Sequence, residues 1–154
     1  MKNNQILIVQ TDFNKLKNEV KAAKAENKEI IYHSDDDELN RKVIEKLPVS
    51  VLLIFLAKRK DFQKQRNSGF NSVMAKIAKK NSIILGINLD ELIESNSEEK
   101  ARILARLKQN IFLCNKEKIK MKFISLNEKN SRNIYDLKSL GLILGMPTWM
   151  TSKL

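Results

Sequence analysis

The chain has 154 residues, of which 42% are hydrophobic, and it contains only four glycines and two prolines. This length and composition predict one globular domain over residues 1–154 with a sizeable core, and they exclude a low-complexity or disordered chain. Lysine and arginine outnumber aspartate and glutamate by 29 to 18, and the resulting net charge of +11 predicts attraction to nucleic acid or to another polyanion.

Short apolar runs alternate with amphipathic segments along the chain. The apolar runs predict strands at 6–9, 30–32, 51–55, 83–88 and 122–126. The amphipathic segments predict helices at 13–26 and 37–47, a helix between Ser68 and Asn81, a helical turn at 89–93, and helices at 98–118 and 135–146. Five strands, each followed by a helix, predict an α/β fold with a parallel sheet and right-handed crossovers. The periodicity leaves two arrangements open, which are an open doubly wound sheet and a β/α barrel.

The segment from Arg66 to Leu89 combines a polar loop, a cationic helix and a buried strand. Ser68 is expected to cap the helix by accepting a hydrogen bond from an early backbone N–H. A stripe at helical spacing is expected to face the core, and its members are Phe70, Val73, Met74, Ile77 and Ala78. Asn81 suits the left-handed position at which many helices end.

The N-terminus carries only four consecutive apolar residues, which does not fit a signal peptide. No apolar run approaches the length of a membrane span. The single Cys114 cannot form a disulfide within the chain and is expected to be a small buried hydrophobe. We therefore expect a cytoplasmic protein.

The residues that could carry catalysis are few. His33 precedes four acidic residues at 35–38, which allows a metal or acid–base site at a strand end. A metal site needs several ligands, however, and acidic residues at the start of a helix also stabilise its positive end, so a helix start is favoured. The chain has no Gly-x-Ser-x-Gly motif, no Walker loop and no Gly-x-Gly-x-x-Gly motif. We expect no catalytic residues and no bound cofactor or metal.

Positive charge is concentrated in particular segments. Five cations lie between Lys58 and Arg66 against the single acid Asp61, and three lysines follow on the next helix. Side chains of this kind contact phosphates with salt-dependent affinity, and arginine geometry suits folded RNA. The alternative is a solvated face without a partner, in a chain whose lysines and asparagines reflect AT-rich codons. Because aromatic residues near these charges are few, recognition of backbone and shape is favoured over base stacking.

Several motifs together resemble the archaeal ribonuclease P protein component 3 family, the homologue of the eukaryotic thirty-kilodalton subunit. They occur in the family's order between Val51 and Met146. These motifs are Arg66-Asn67-Ser68-Gly69-Phe70-Asn71, Ala78-Lys79-Lys80-Asn81, Gly86-Ile87-Asn88-Leu89, Lys100-Ala101-Arg102, Leu107-Lys108-Gln109-Asn110, Arg132-Asn133-Ile134-Tyr135-Asp136-Leu137 and Leu144-Gly145-Met146.

The resemblance implies a TIM-barrel-like fold in a shortened or incomplete form. It implies a subunit of ribonuclease P that supports the catalytic RNA in removal of the 5′ leader from precursor tRNA, with magnesium bound by that RNA. It also implies pairing with the small ferredoxin-like protein subunit, in a two-plus-two assembly. The residues expected to contact RNA are Arg59, Lys60, Lys64, Arg66, Lys76, Lys79, Arg102, Arg106 and Arg132.

Two other functions remain open at this point. The first is a barrel-type metal-dependent phosphoesterase, which would need more histidines than the single His33. The second is a protein–protein scaffold whose charge is incidental.

Overall fold

The structure is a computed structural model that describes residues 4–154. Its five strands form one parallel sheet in the order β1-β2-β3-β4-β5. They are β1 (Gln5–Ile8), β2 (Glu29–Tyr32), β3 (Val51–Ile54), β4 (Ile84–Asn88) and β5 (Met121–Ile124). Each strand pairs with the next one along the chain, whereas a doubly wound sheet reverses its order at a switch point. The structure therefore has the barrel type of order, and the expected shortened TIM-barrel-like fold is confirmed.

Helices follow the strands as predicted, with ends that differ by a few residues. They are α1 (Phe13–Ala25), α2 (Asp37–Lys46), α3 (Ser72–Lys80), α4 (Leu89–Glu94), α5 (Ser97–Glu117), α6 (Ile134–Ile143) and α7 (Thr148–Thr151), with a short 3-10 turn at Glu128–Asn130. Within residues 4–154, no helix is both long and apolar enough to cross a membrane.

The two faces of the sheet carry different apolar clusters. On the outer face, Tyr32, Leu52 and Ile87 pack in the large core that α1, α2, α3 and α5 cover. On the inner face, Ile31, Val51, Leu53 and Ile124 form a separate buried cluster. All four residues of β3 are buried, so this strand is covered on both faces.

The sheet curls towards a barrel but does not close. Lys122 on β5 places its Nζ 2.8 Å from a carboxylate oxygen of Glu29 on β2, although β3 and β4 lie between these two strands. Both side chains extend from the inner face, so the contact reflects how strongly the sheet is curved. No strand pairing links β5 to β1 among the described residues.

Helix α3 departs from the expected pattern in three places. Its N-cap is Asn71, whose side chain accepts from the Met74 N–H, while Ser68 donates its hydroxyl to the Phe70 carbonyl. The expected cap at Ser68 is therefore wrong. Val73 is 48% exposed and Ala75 is buried in its place, because the core-facing stripe is rotated around the helix. The left-handed residue after the helix is Ser82, not Asn81.

The C-terminal segment packs onto the fold. Trp149, in the short helix α7, donates its indole N–H to the Asn115 side chain at 3.1 Å, and Met150 is fully buried. Cys114 on α5 is also buried, and burial raises the pKa of its thiol to about 12. The expectation that Cys114 is a small buried hydrophobe is confirmed.

Candidate nucleic-acid interface

The loop between β3 and α3, residues 55–71, carries four of the nine predicted cations, and a buried arginine holds it in place. Arg106 on α5 is only 2% exposed. Its guanidinium donates to the carbonyls of Leu56 at 2.8 Å and Arg59 at 2.6 Å, and to the Asp61 carboxylate at 3.1 Å. Because these bonds all reach the loop, Arg106 is a structural anchor, and an RNA phosphate has no access to it in this arrangement.

Arg59 has a similar role within the loop itself. It forms two parallel bonds of 3.0 Å to the Asp37 carboxylate at the start of α2, a bidentate geometry that lysine cannot reproduce. Its Nε donates to the Phe55 carbonyl at 2.6 Å. Arg59 thus ties α2 to the end of β3, a position that suits it to holding the loop in shape.

The middle of the loop is a closed projection, which we call the tip and define as residues 62–66. Two bonds close its base, from the Asn67 N–H to Asp61 at 2.8 Å and from the Phe62 N–H to the Gln65 carbonyl at 2.9 Å. The Asn67 N–H, followed by the Arg106 guanidinium, lowers the pKa of Asp61 below its usual range. The tip is therefore fixed through Asp61 to the buried Arg106.

Two glutamates hold the first residues of the loop. Glu91 on α4 accepts from the backbone N–H groups of Leu56 and Ala57, at 2.9 and 3.1 Å. Glu99 on α5 accepts from the Lys58 N–H at 2.7 Å. Burial raises the pKa of Glu91, while its two N–H donors oppose that rise.

A polar cleft of about 510 Å³ opens beside the tip. Its lining includes Phe62 and Arg66 of the tip, Arg41 of α2, Gln109 of α5 and Asn71. Asn71 is the N-cap of α3, where the helix macrodipole adds partial positive charge. The cleft is therefore suited to an anionic ligand.

The structure brings some of the nine predicted cations together and separates others. Lys60, Lys64 and Arg66 are exposed on the loop, and Lys76 and Lys79 are exposed on α3, which follows it directly. Lys79 lies seven positions after Ser72, so the helix rises about 10 Å between them. These five exposed cations follow one another along the loop and the helix after it, and we call this set the basic strip: Lys60, Lys64, Arg66, Lys76 and Lys79.

The remaining two cations lie elsewhere. Arg102 is exposed on α5 and pairs with Glu98 one turn earlier. Arg132 lines a different groove of about 610 Å³ along the free edge of β5, and its Nη1 donates to the carbonyls of Lys129 and Ser131. Neither side chain belongs to the basic strip.

Sequence reasoning missed three residues of this region. Arg41 and Phe62 line the cleft, and Asp90 accepts from the Leu126 and Asn127 N–H groups, which fixes the loop after β5. Of these three, only Phe62 could have been identified from its neighbours in the sequence, because it is an aromatic residue inside a basic segment. Arg41 lies 25 residues before Arg66 and meets it only through the fold.

The structure gives His33 and its acidic neighbours local roles, and the His33 Nε2 lies 3.5 Å from a carboxylate oxygen of Asp35. Asp36 caps α2 by accepting from the Glu38 and Leu39 N–H groups. His33 is buried, stacks on Phe55 with ring centroids 3.8 Å apart, and donates its Nδ1–H to the Leu53 carbonyl, which can only accept. Within residues 4–154, no group of three or more His, Cys, Asp or Glu side chains is arranged to hold a metal ion.

Comparison with known proteins gives relatives among the archaeal ribonuclease P proteins. The chain is 31% identical over 110 residues to ribonuclease P protein component 3 of Methanosarcina mazei and 30% identical over 110 residues to that of Methanosarcina acetivorans. Each alignment covers 71% of this chain and 41% of the relative. No family model matches the chain.

The fold also matches a chain in the cryo-EM structure of archaeal ribonuclease P with mature tRNA. The TM-score is 0.77 at 21% sequence identity, and the match covers 95% of this chain and 62% of the other. At that identity the match supports the fold alone.

Proposed function

We propose that the chain, a relative of archaeal ribonuclease P protein component 3 that spans 41% of the length of the relatives it matches, is a protein subunit of ribonuclease P. In this role it binds the catalytic RNA and supports it in removal of the 5′ leader from precursor tRNA. The observation that carries the proposal is the 31% identity over 110 residues, on a fold that matches a chain of an archaeal ribonuclease P structure.

The basic strip supports an RNA partner. Lys60, Lys64 and Arg66 extend from a loop whose backbone is bonded to α4 and α5 and whose Arg59 side chain is bonded to Asp37 of α2. A rigid support lowers the entropy lost when these side chains order on a phosphate backbone. In this proposal the exposed cations make the RNA contacts, with Arg102 and Arg132 as contacts outside the strip, while Arg59 and Arg106 hold the loop in shape.

We place the small ferredoxin-like protein subunit as a second partner, in a two-plus-two assembly. The outer face of α6 supports a protein partner, since Tyr135, Leu142 and Ile143 are exposed there. Exposed apolar groups on one helix face are typical of protein interfaces. Precursor tRNA is then an indirect partner, reached through the assembled particle, and the cytoplasm is the proposed location.

We assign the hydrolysis, and the magnesium it requires, to the RNA subunit. The described residues offer His33 as a buried ring whose Nδ1 is bonded to a carbonyl and whose Nε2 lies 3.5 Å from the Asp35 carboxylate, and Cys114 as a buried thiol with a raised pKa. Neither group has the exposure that a general base or nucleophile needs. Among residues 4–154, no arrangement of side chains favours the phosphoesterase alternative.

Binding of the purified full chain to a ribonuclease P RNA across a salt series tests the proposal. The control RNA is an unrelated structured RNA of the same length, and the control variant is Lys21→Ala, which removes an exposed cation from α1. We expect binding that weakens steeply with salt and prefers the ribonuclease P RNA. The Lys21→Ala variant should bind as the natural chain does.

Two results would contradict the proposed function. Absence of binding, or equal binding to both RNAs, with the small subunit also present, would leave a likeness of fold without this function. Salt-insensitive binding to the small subunit in the absence of RNA affinity would support the scaffold alternative.

A further inference from the structure

We propose that the cleft beside the tip binds one unpaired nucleotide of the RNA, with its base stacked on Phe62 and its phosphate held by Arg66 and Arg41. This inference rests on the proposed RNA-binding function and assigns a specific ligand to part of that surface. It adds Phe62 and Arg41 to the residues that the charge pattern alone identified.

The first observation is the exposure of an aromatic ring on a rigid support. Phe62 is 59% exposed, although its backbone N–H is bonded to the Gln65 carbonyl and the adjacent Asp61 is bonded to Asn67 and Arg106. The ring is therefore held out by the closed geometry of the tip. A flat apolar face on a rigid loop is the element on which nucleic-acid-binding proteins stack a base.

The second observation is the charge around the ring. Arg66 and Arg41 face the same cleft from the tip and from α2, and neither is buried. The carboxylate of Asp37 in the wall is already paired with the Arg59 guanidinium through two bonds. Glu38 is the remaining acid in the lining, so the two arginines leave one positive charge in excess once the Asp37–Arg59 pair is counted as neutral.

The third observation is the size and mixed character of the cleft. Its volume of about 510 Å³ lies within the range of about 300–1,000 Å³ that is typical of small-molecule sites. Gln65 and Gln109 supply amide groups from two sides, which can meet the edge of a base. A ring, two guanidinium groups and flanking amides together match a nucleotide, whereas a free phosphate would leave the ring unused.

The ligand must be unpaired. A base inside an A-form helix is already stacked and paired, and the wide minor groove of that helix offers a protein only sugar hydroxyls and base edges. A base that turns outward from a loop or a bulge can reach the ring of Phe62. The cleft therefore predicts a preference for RNA with exposed unpaired nucleotides over fully paired RNA.

The test compares Phe62→Leu with Phe62→Tyr in the full chain, using a ribonuclease P RNA and a fully paired RNA hairpin stem as probes. Leucine keeps an apolar side chain but has no ring, and tyrosine keeps the ring. We expect Phe62→Leu to weaken binding of ribonuclease P RNA roughly tenfold, and Phe62→Tyr to bind as the natural chain does. The matched control is Phe112→Leu, which removes an exposed ring from the surface of α5 outside the cleft lining.

The salt series separates stacking from charge. Phe62→Leu should lower the affinity by the same factor at every salt concentration, because no charge is lost. Arg66→Gln and Arg41→Gln should each reduce the salt slope by roughly one unit. Binding of the paired stem should be unaffected by Phe62→Leu.

The experiment distinguishes failure of the nucleotide site from failure of the proposed function. If the natural chain binds ribonuclease P RNA but Phe62→Leu binds equally well, the nucleotide site is overturned and the proposed function stands. An equal loss for Phe62→Leu and Phe62→Tyr would also overturn the stacking role. If the natural chain binds neither probe, the proposed function itself fails.

Discussion

Gly69 packs directly against the side chain of Arg59, so close that a Cβ atom on Gly69 would lie 2.5 Å from the Arg59 guanidinium carbon. The backbone of Gly69 has a φ of +68°, which residues with a side chain rarely adopt. The bidentate pair of Arg59 with Asp37 fixes the guanidinium, so it cannot move away without loss of that pair. The loop that carries the tip therefore depends on a glycine at this position.

The first prediction is that Gly69→Ala destabilises the protein more than Gly145→Ala. Gly145 has a φ of +96°, but a Cβ atom there would meet nothing within 4 Å, so alanine costs only backbone strain, about 1–2 kcal/mol. Gly69→Ala adds the displacement of Arg59 to a similar strain. Thermal unfolding should show a fall in Tm for Gly69→Ala at least roughly twice that for Gly145→Ala. Equal falls would show that the Arg59 contact carries no cost.

The second prediction concerns two arginines one turn apart on α5. Arg106→Met should lower the free energy of unfolding by roughly 3 kcal/mol, because two carbonyls and the Asp61 carboxylate lose a charged donor. Arg102→Met should cost less than about 1 kcal/mol, since its pair with Glu98 is exposed. Urea unfolding of both variants measures the difference. Similar losses would contradict the anchoring role of Arg106.

The third prediction is a pH dependence that arises at Asp90. Partial burial raises the pKa of this carboxyl, but hydrogen bonds from the Asn130 amide, the Leu126 N–H and other donors outweigh it and hold the pKa below its usual value. A lowered folded-state pKa contributes stability that is present above the unfolded-state pKa, about 3.9, and is lost as the pH falls through the folded-state value.

Asp90→Asn should therefore reduce stability at pH 7 by about 1 kcal/mol, and the difference from the natural chain should shrink below about pH 4. Urea unfolding, at about one measurement per pH unit between roughly pH 2 and 7, gives the stability difference between the variant and the natural chain at each pH. Glu45→Gln is the control, because Glu45 is an exposed acid on α2. A difference that stays constant with pH would show that the charge on Asp90 is not involved.

The fourth prediction applies to the basic strip. The double variant Arg66→Ala/Lys76→Ala should weaken RNA binding and reduce its salt slope by roughly two units, because two phosphate contacts are lost. Both side chains are exposed, so the fold should remain, and circular dichroism can verify this. Unchanged binding by the folded double variant would refute the strip as the RNA-binding surface.

The sequence predicts the order and type of the main elements because their apolar spacing is regular. Val51–Ile54 is fully buried as its unbroken apolar run indicates, and the sequential strand order is compatible with the repeated strand–helix pattern. What the pattern leaves open is the choice between barrel and doubly wound order, since that choice depends on which strands pair. The spacing of apolar residues contains no information on pairing partners.

The candidate site is less predictable, because its arginines are distinguished only by distant partners. Arg106 lies three residues after buried Ile103 and four before buried Asn110, so it occupies the core-facing side of α5. That position is a signal in the sequence, but the loop groups that satisfy Arg106 lie 45 to 50 residues earlier in the chain. Exposed Arg66 and buried Arg106 look alike until the fold brings these groups together.

The sequential order of the strands has a consequence for how the protein forms during synthesis. Each strand pairs with the one made immediately before it, so no strand waits for a distant segment to complete its hydrogen bonds. The paired residues of neighbouring strands lie 20 to 36 positions apart, because each parallel crossover includes a helix, and a smaller sequence separation favours faster folding. The chain can therefore assemble unit by unit as it leaves the ribosome, with each new strand and helix adding to a surface that is already formed.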